Sequence, residues 1–164
     1  MRAVLQRVAR AKVTVGAESQ GEHGSTEVTG AIDRGLLVLL GVAAGDPPGA
    51  EELLARKTAE LRIFPDDEGK MNRSVIEVGG AVLVVSQFTL LADCKKGRRP
   101  SFIGAAPPAE ADARYQRYCE LLRGHGLRVE TGRFQTEMQV ELVNEGPVTI
   151  VLDTRDLRGG GDDA

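Results

Sequence analysis

Short, almost wholly apolar runs alternate along this chain with polar stretches bounded by glycine, the layout of a sheet whose strands are buried on one or both faces. Val4, Leu5, Val8, Val13 and Val15 stand among arginines and a lysine over residues 1–15, which predicts a strand with one wet face. Gly35-Leu36-Leu37-Val38-Leu39-Leu40-Gly41-Val42 and Ala81-Val82-Leu83-Val84-Val85 are continuous apolar runs and read as strands covered on both faces. Near the C-terminus Met138, Val140 and Leu142, then Val148, Ile150 and Leu152, alternate with other residues on either side of Gly146-Pro147. Proline fixes φ and glycine reaches conformations closed to other residues, so this pattern predicts two strands joined as a hairpin by a turn.

Two helices interrupt the strands. Asp46 is placed to cap the first, with Pro47 at its first position and Glu51 and Glu52 in its opening turns, and the spacing predicts that it runs to about Phe64. Pro107-Pro108 opens the second. In it Tyr115, Tyr118, Cys119 and Leu122 recur at i, i+3, i+4 and i+7, a core-facing stripe, and Gly124 or Gly126 ends it. Pro65 to Asn72 reads as a turn-rich loop, Gly16 to Gly30 as a mobile, acidic hairpin tip, and Gly159 to Ala164 as a disordered tail. Strands outnumber helices and separate them, so the fold class is α/β, a mixed sheet with helices on one side. A single domain is expected over residues 1–154, with a flexible tail over 155–164.

Composition narrows the function. With 164 residues, 41% hydrophobic and 27% charged, the chain can bury a core of its own, and a net charge of −3 excludes a uniformly basic nucleic-acid binder. Any RNA contact must then be local, and Lys95-Lys96-Gly97-Arg98-Arg99 is the segment that offers one. No apolar run is long enough to span a membrane and the opening residues lack an apolar signal core, so a cytoplasmic protein is expected. Cys94 and Cys119 form no CxxC pair and read as free thiols, while His23 and His125 lie in loop-like sequence, which gives a metal site or a Ser-His-Asp triad no support. Neither a metal nor any other cofactor is expected.

Ser86-Gln87-Phe88-Thr89-Leu90 is the anomaly. Two hydroxyls and an amide within four residues follow a buried strand, and a buried polar group without a partner costs about 1–3 kcal/mol. Either the strand emerges into solvent there, or these groups face a cavity.

These motifs resemble the D-aminoacyl-tRNA deacylase family. The resemblance runs from Met1 to about Thr154 and takes in Met1-Arg2-Ala3-Val4-Leu5-Gln6-Arg7-Val8, Leu61-Arg62-Ile63-Phe64, Gly69-Lys70-Met71-Asn72, Ser86 to Leu90, Lys96 to Phe102, Glu130-Thr131-Gly132-Arg133-Phe134 and Asn144 to Thr149. It implies a three-layer β/β/α sandwich, and a homodimer that hydrolyses the ester between a D-amino acid and the 3′-terminal ribose of tRNA, with glycyl-tRNA also cleaved because glycine is achiral. It also implies that Ser86, Gln87, Phe88 and Thr89 form the catalytic pocket of one subunit. Gly146 and Pro147, joined by a cis bond, would enter that pocket from the partner and reject L-amino acids. Lys95, Lys96, Arg98 and Arg99 would hold tRNA phosphates, and neither DNA nor a membrane is an expected partner.

An aminoacyl ester is an activated acyl group, so its hydrolysis needs chiefly a placed water and donors for the developing oxyanion. Backbone N–H groups around Gln87 and Phe88 are candidate donors, and the ribose 2′-OH is a candidate helper for the water. Attack by Thr89 itself is the second mechanism, although no histidine or lysine neighbours it in the sequence. Two other functions are carried alongside: a non-catalytic RNA-binding module, which 4% aromatic content and the absence of tryptophan weigh against, and a deacylase of relaxed chirality.

Overall fold

The computed structural model describes residues 1–16 and 26–157. Strand β1 (Arg2–Val15) is its spine, and the alternation of buried and less buried positions along it breaks at Arg7 and Val8, which are both buried. There β1 changes neighbours on one side. Residues 11–15 pair antiparallel with β2 (Glu27–Ile32), whereas residues 2–8 pair antiparallel with β3 (Gly35–Gly41). The apolar runs expected to be covered on both faces are indeed central: β3 lies parallel to β6 (Ala81–Ser86), and β6 parallel to β7 (Arg128–Thr131). A short ribbon, β4 (Phe64–Pro65) with β5 (Met71–Arg73), stands apart. The other edge of β1 is lined by β8 (Met138–Asp153) along its whole length.

Because side chains alternate across a strand, the central strands feed two cores. Leu36, Val38, Leu40, Val82 and Val84 face the helices α1 (Ala50–Glu60) and α2 (Pro108–Gly124), meeting Leu54, Ala59, Tyr118 and Leu122. Leu37, Leu83 and Val85 face the other way, against Val8, Ala11, Val13 and Ile32, with Met138, Val140 and Leu142 packed alongside. The sheet therefore curls so that its β2 end covers its own centre, and the Arg128 guanidinium of β7 donates to the Ala31 carbonyl of β2 at 3.2 Å. Helices lie on one face of a nearly closed mixed sheet, as the α/β reading requires.

Four local expectations need correction. The first helix begins at Ala50, not at Pro47, and ends at Glu60 rather than Phe64. Asp46 does not cap it: its carboxylate accepts from the Met1 ammonium and from the Ala43 N–H, the latter at 2.7 Å, and is held by tertiary contacts instead. Residues 138–153 form one strand, not a hairpin. Between the pairs Gln6–Thr149 and Val8–Asn144 the register shifts, and the Gly146-Pro147 segment is absorbed as a bulge in a strand that β1 pairs on both sides of it. The bond before Pro147 is trans, as are all peptide bonds among the described residues, in place of the expected cis geometry. Gly146 takes up the irregularity instead, at a φ of 106°.

A final helical turn, α3 (Thr154–Leu157), lays Leu157 against the helical core. Of the expected hairpin tip, Gly16 to Gly30, residues 17–25 with His23 fall outside the described residues, whereas 27–30 belong to β2 and pair with β1. Of the tail expected over 155–164, residues 155–157 lie in α3 and 158–164 fall outside the described residues.

Candidate active site

The polar end of β6 faces a cavity. The chain leaves the strand at Ser86, turns at Gln87 and enters a 3-10 turn over Phe88–Leu91. A cavity of about 620 Å³ opens there, at the carboxyl ends of the parallel strands, where open α/β sheets bind ligands. Ser86, Gln87 and Phe88 line one wall, Phe102, Phe134 and Met138 much of the rest. Phe88 and Phe102 meet edge to face with centroids 5.1 Å apart, and both rings remain partly exposed at the rim. Gln135, also on the cavity, holds a left-handed backbone at φ 56°, the only residue other than glycine to do so among those described.

The donors are fewer than the sequence offers. The Gln87 N–H is already engaged, donating to the Leu40 carbonyl at 2.8 Å, which fixes the turn to β3. The Phe88 N–H opens the 3-10 turn and has no acceptor among the described residues, as the first N–H groups of a helix lack internal partners. Of the two backbone donors expected from the sequence it is the one left for an oxyanion, and the next N–H of the turn, that of Thr89, likewise has no acceptor among the described residues. The Gln87 side-chain amide donates to the Thr89 hydroxyl. Thr89 is exposed and does not line the cavity, and among the described residues no ionisable side chain hydrogen-bonds to its hydroxyl.

Behind the cavity the chemistry is inert. The Tyr115 hydroxyl donates to the Val84 carbonyl at 2.9 Å, and burial raises its pKa well above the ordinary phenol range. Burial likewise pushes the Cys119 thiol up to about 11, so it is no nucleophile at neutral pH. Tyr115, Tyr118, Cys119 and Leu122 are all buried, which bears out the core stripe read from α2. Cys94 and Cys119 are free thiols, one exposed and one buried.

Gly146 and Pro147 lie elsewhere. Both are exposed on the β8 bulge and neither lines the cavity of their own chain. The bulge is braced from below: Arg7 Nε donates to the Glu145 carbonyl at 3.2 Å, and Arg7 Nη1 to the Ile63 carbonyl at 2.6 Å. Asn144 Nδ2 closes it by donating to the Arg7 and Val148 carbonyls at 3.0 and 3.1 Å. Within one chain, then, the two motifs do not share a cavity.

Lys95, Lys96, Arg98 and Arg99 are exposed on a loop whose ends are pinned by paired Asp93 and Ser101 backbones, at 2.8 and 3.0 Å. Their side chains make no ion pair among the described residues, and the loop runs directly into the cavity-lining Phe102. The aromatic and methionine walls, Phe102, Phe134 and Met138, were not among the residues singled out for the site. Their only signal is that Phe102 and Phe134 close two of the shared motifs. No helix among the described residues is long and apolar enough to cross a membrane.

Residues 4–153 match the family described as D-Tyr-tRNA(Tyr) deacylase. The chain is 61% identical to a D-aminoacyl-tRNA deacylase of Anaeromyxobacter dehalogenans over 157 residues, 96% of this chain and 99% of the relative. It is 54% identical to a D-aminoacyl-tRNA deacylase of Thermotoga petrophila, again over 96% of this chain and 99% of the relative. Among solved structures it is similar to a c-Myc DNA Unwinding Element Binding Protein, with a TM-score of 0.81 and 41% identity, covering 93% of this chain and 98% of that one. A structure described as a probable eukaryotic D-amino acid tRNA deacylase shares the fold at a TM-score of 0.68 and 20% identity, covering 92% and 97%.

Proposed function

The chain belongs to the D-Tyr-tRNA(Tyr) deacylase family, and from that premise we propose that it is a chiral-proofreading hydrolase cleaving the ester of D-aminoacyl-tRNA to free tRNA and D-amino acid. The observation that carries this reading is the cavity at the end of β6, walled by Ser86, Gln87 and Phe88, with the Phe88 N–H unclaimed beside it. An ester carbonyl seated there develops its negative charge against a fixed donor, an interaction worth about 2.7–4 kcal/mol when well aimed.

Water is the attacking group. Thr89 lies off the cavity, and among the described residues no basic side chain hydrogen-bonds to it to raise its weak reactivity. Its role is to receive the Gln87 amide and so orient that side chain at the cavity wall. The ribose 2′-OH of the substrate assists the water, which makes the catalysis partly substrate-assisted.

Selectivity comes from a second copy of the chain. Gly146 and Pro147 are exposed, lie on a bulge braced at Glu145 and Val148, and do not line their own chain's cavity, the arrangement that a residue pair acting on a partner's site requires. Exposed Val151 lies on the same strand, apolar surface available for burial in an isologous homodimer. Main-chain carbonyls of the partner's Gly146 and Pro147 then accept from the substrate ammonium and crowd an L side chain, while a D side chain points out of the pocket. Glycyl-tRNA, with no side chain to reject, is cleaved too. The basic loop Lys95, Lys96, Arg98 and Arg99 holds phosphates of the tRNA acceptor end, which gives affinity without sequence readout. The catalytic domain spans residues 1–154, with the rest of α3 packed onto it through Leu157, and works in the cytoplasm, without metal or other cofactor.

The test is ester loss from matched D- and L-tyrosyl-tRNA with the purified protein. Rapid loss of the D ester alone is expected, and equal rates for both would remove the rejection mechanism.

A further inference from the structure

Arg2, Gly41 and Asp153 stand side by side on three neighbouring strands, because Arg2 pairs with Gly41 on β3 and with Asp153 on β8. The guanidinium uses two of its edges. Nε and Nη2 donate to Asp153 Oδ2 at 3.1 and 3.0 Å, while Nη1 donates to the Leu90 carbonyl at 2.8 Å. Leu90 lies in the 3-10 turn that carries Phe88 and Thr89. The carbonyls at the end of such a turn have no internal partner, so Arg2 satisfies one that would otherwise be orphaned.

The packing explains why the guanidinium can reach. The turn rests on Gly41: a Cβ there would lie 2.6 Å from Leu91 Cδ2, 3.1 Å from the Gln87 carbonyl and 3.2 Å from Leu90 Cβ. With no side chain at position 41, the turn drops onto the sheet and Leu90 comes within range of Arg2. Asp153 is equally fixed. Arg155 donates to it from its backbone N–H at 3.0 Å and from Nη2 at 2.6 Å, and the Asp153 side chain is only 8% exposed.

We infer that Arg2 is a positioning residue for the hydrolytic reaction, holding the far end of the turn that presents Gln87, Phe88 and Thr89. The near end is held by the Gln87 N–H on Leu40, at 2.8 Å. With both ends tied, the direction of the Phe88 N–H is set before substrate arrives. Loss of the Arg2 tie frees the Leu90 carbonyl and leaves the far end held only by the packing of Leu90 and Leu91 on Gly41 and by the Asp93–Ser101 pairing beyond it, so that the donor can turn off the line to the oxyanion. The inference rests on the reading that this turn holds the reacting ester.

The experiment compares Arg2→Met, Arg2→Lys and Gln87→Ala in the full chain, reading kcat and KM for D-tyrosyl-tRNA per folded molecule, alongside the melting temperature. Arg2→Met keeps the length and packing of the side chain but not its donors, and a misaimed group can cost on the order of 10²-fold in rate. A kcat loss of more than about threefold, with KM changed by less than that factor, is the expected result, since placement rather than binding is disturbed. Arg2→Lys should fall between Arg2→Met and the parent, because one ammonium reaches either the carboxylate or the carbonyl. Should Arg2→Met fail to fold, Arg2→Lys is judged by the same criterion. A kcat that stays within about threefold of the parent, whatever the melting temperature does, would assign Arg2 to stability alone and overturn the inference. Gln87→Ala separates the two levels: if it is inactive while the Arg2 variants are fully active, only the positioning role fails, and if it is fully active the site itself is misassigned.

Discussion

Arg7 lies directly beneath Gly146: its Nη2 occupies the space that a side-chain carbon at position 146 would fill. The guanidinium is buried, and its donors hold carbonyls of Glu145 and Ile63, so the bulge and the support under it form one unit. Gly146→Ala should therefore both strain a backbone at φ 106° and displace Arg7. The expected cost is more than about 1 kcal/mol in stability, read as a lower melting temperature. The hydrolysis rate on D-aminoacyl-tRNA should fall as well. Parental stability and rate in the Gly146→Ala protein would show that the close approach of Arg7 has no consequence.

Thr89→Ala should keep substantial activity, because a hydroxyl that only receives the Gln87 amide is not the nucleophile. Single-turnover kinetics on D-tyrosyl-tRNA check this. Loss of about 10⁴-fold or more with binding intact, or an acyl group trapped on Thr89, would establish covalent catalysis instead.

Replacing Lys95, Lys96, Arg98 and Arg99 by Gln should weaken tRNA binding and flatten its salt dependence. Each phosphate contact removed takes away about 0.7–0.9 units of the log–log slope. Hydrolysis of a small activated ester without tRNA should not change. A salt slope equal to the parent's would make this loop a solvated turn whose charges are incidental.

Acid stability should depend on Asp153. Hydrogen bonds from Arg155, with help from Arg2, hold its carboxyl well below the usual carboxylate range. A folded-state value below the unfolded one adds stability above the unfolded pKa of about 3.9, and that stability is lost as pH falls from there toward the folded value. Asp153→Asn should remove this contribution, so that the melting temperatures of variant and parent converge as the pH is lowered from 6 through about 4 to 3. Parallel melting curves over that range would mean the pair of arginines does not act through the carboxylate's charge.

What the sequence made legible was governed by local pattern. The continuous apolar runs at 35–42 and 81–85 are strands buried on both faces, and the stripe Tyr115, Tyr118, Cys119 and Leu122 is core, because burial on this scale selects residue type directly. The polar residues after Val85 do reach a cavity, which the cost of burying unpaired polar groups foreshadows. Tertiary partners decided the rest. Asp46 looks like a helix cap until the Met1 ammonium, distant in sequence, takes its carboxylate. Gly146-Pro147 looks like a hairpin turn until β1, pairing on both sides of it, holds the segment in one strand. The Gln87 N–H looks like a catalytic donor until Leu40 claims it. The cavity walls Phe102, Phe134 and Met138 come from three loops and strands that only folding brings together.

The central claim is that two chains build each site, Gln87 from one and Gly146 from the other. It is tested most directly by mixing two inactive homodimers, one carrying Gln87→Ala and the other a bulky replacement of Gly146, under conditions where subunits exchange. In the heterodimer both lesions fall in one site and the other is intact, so two-fold symmetry predicts recovery of about half the parental activity per heterodimer. No recovery after verified exchange would contradict the account and place both motifs in the same chain's site.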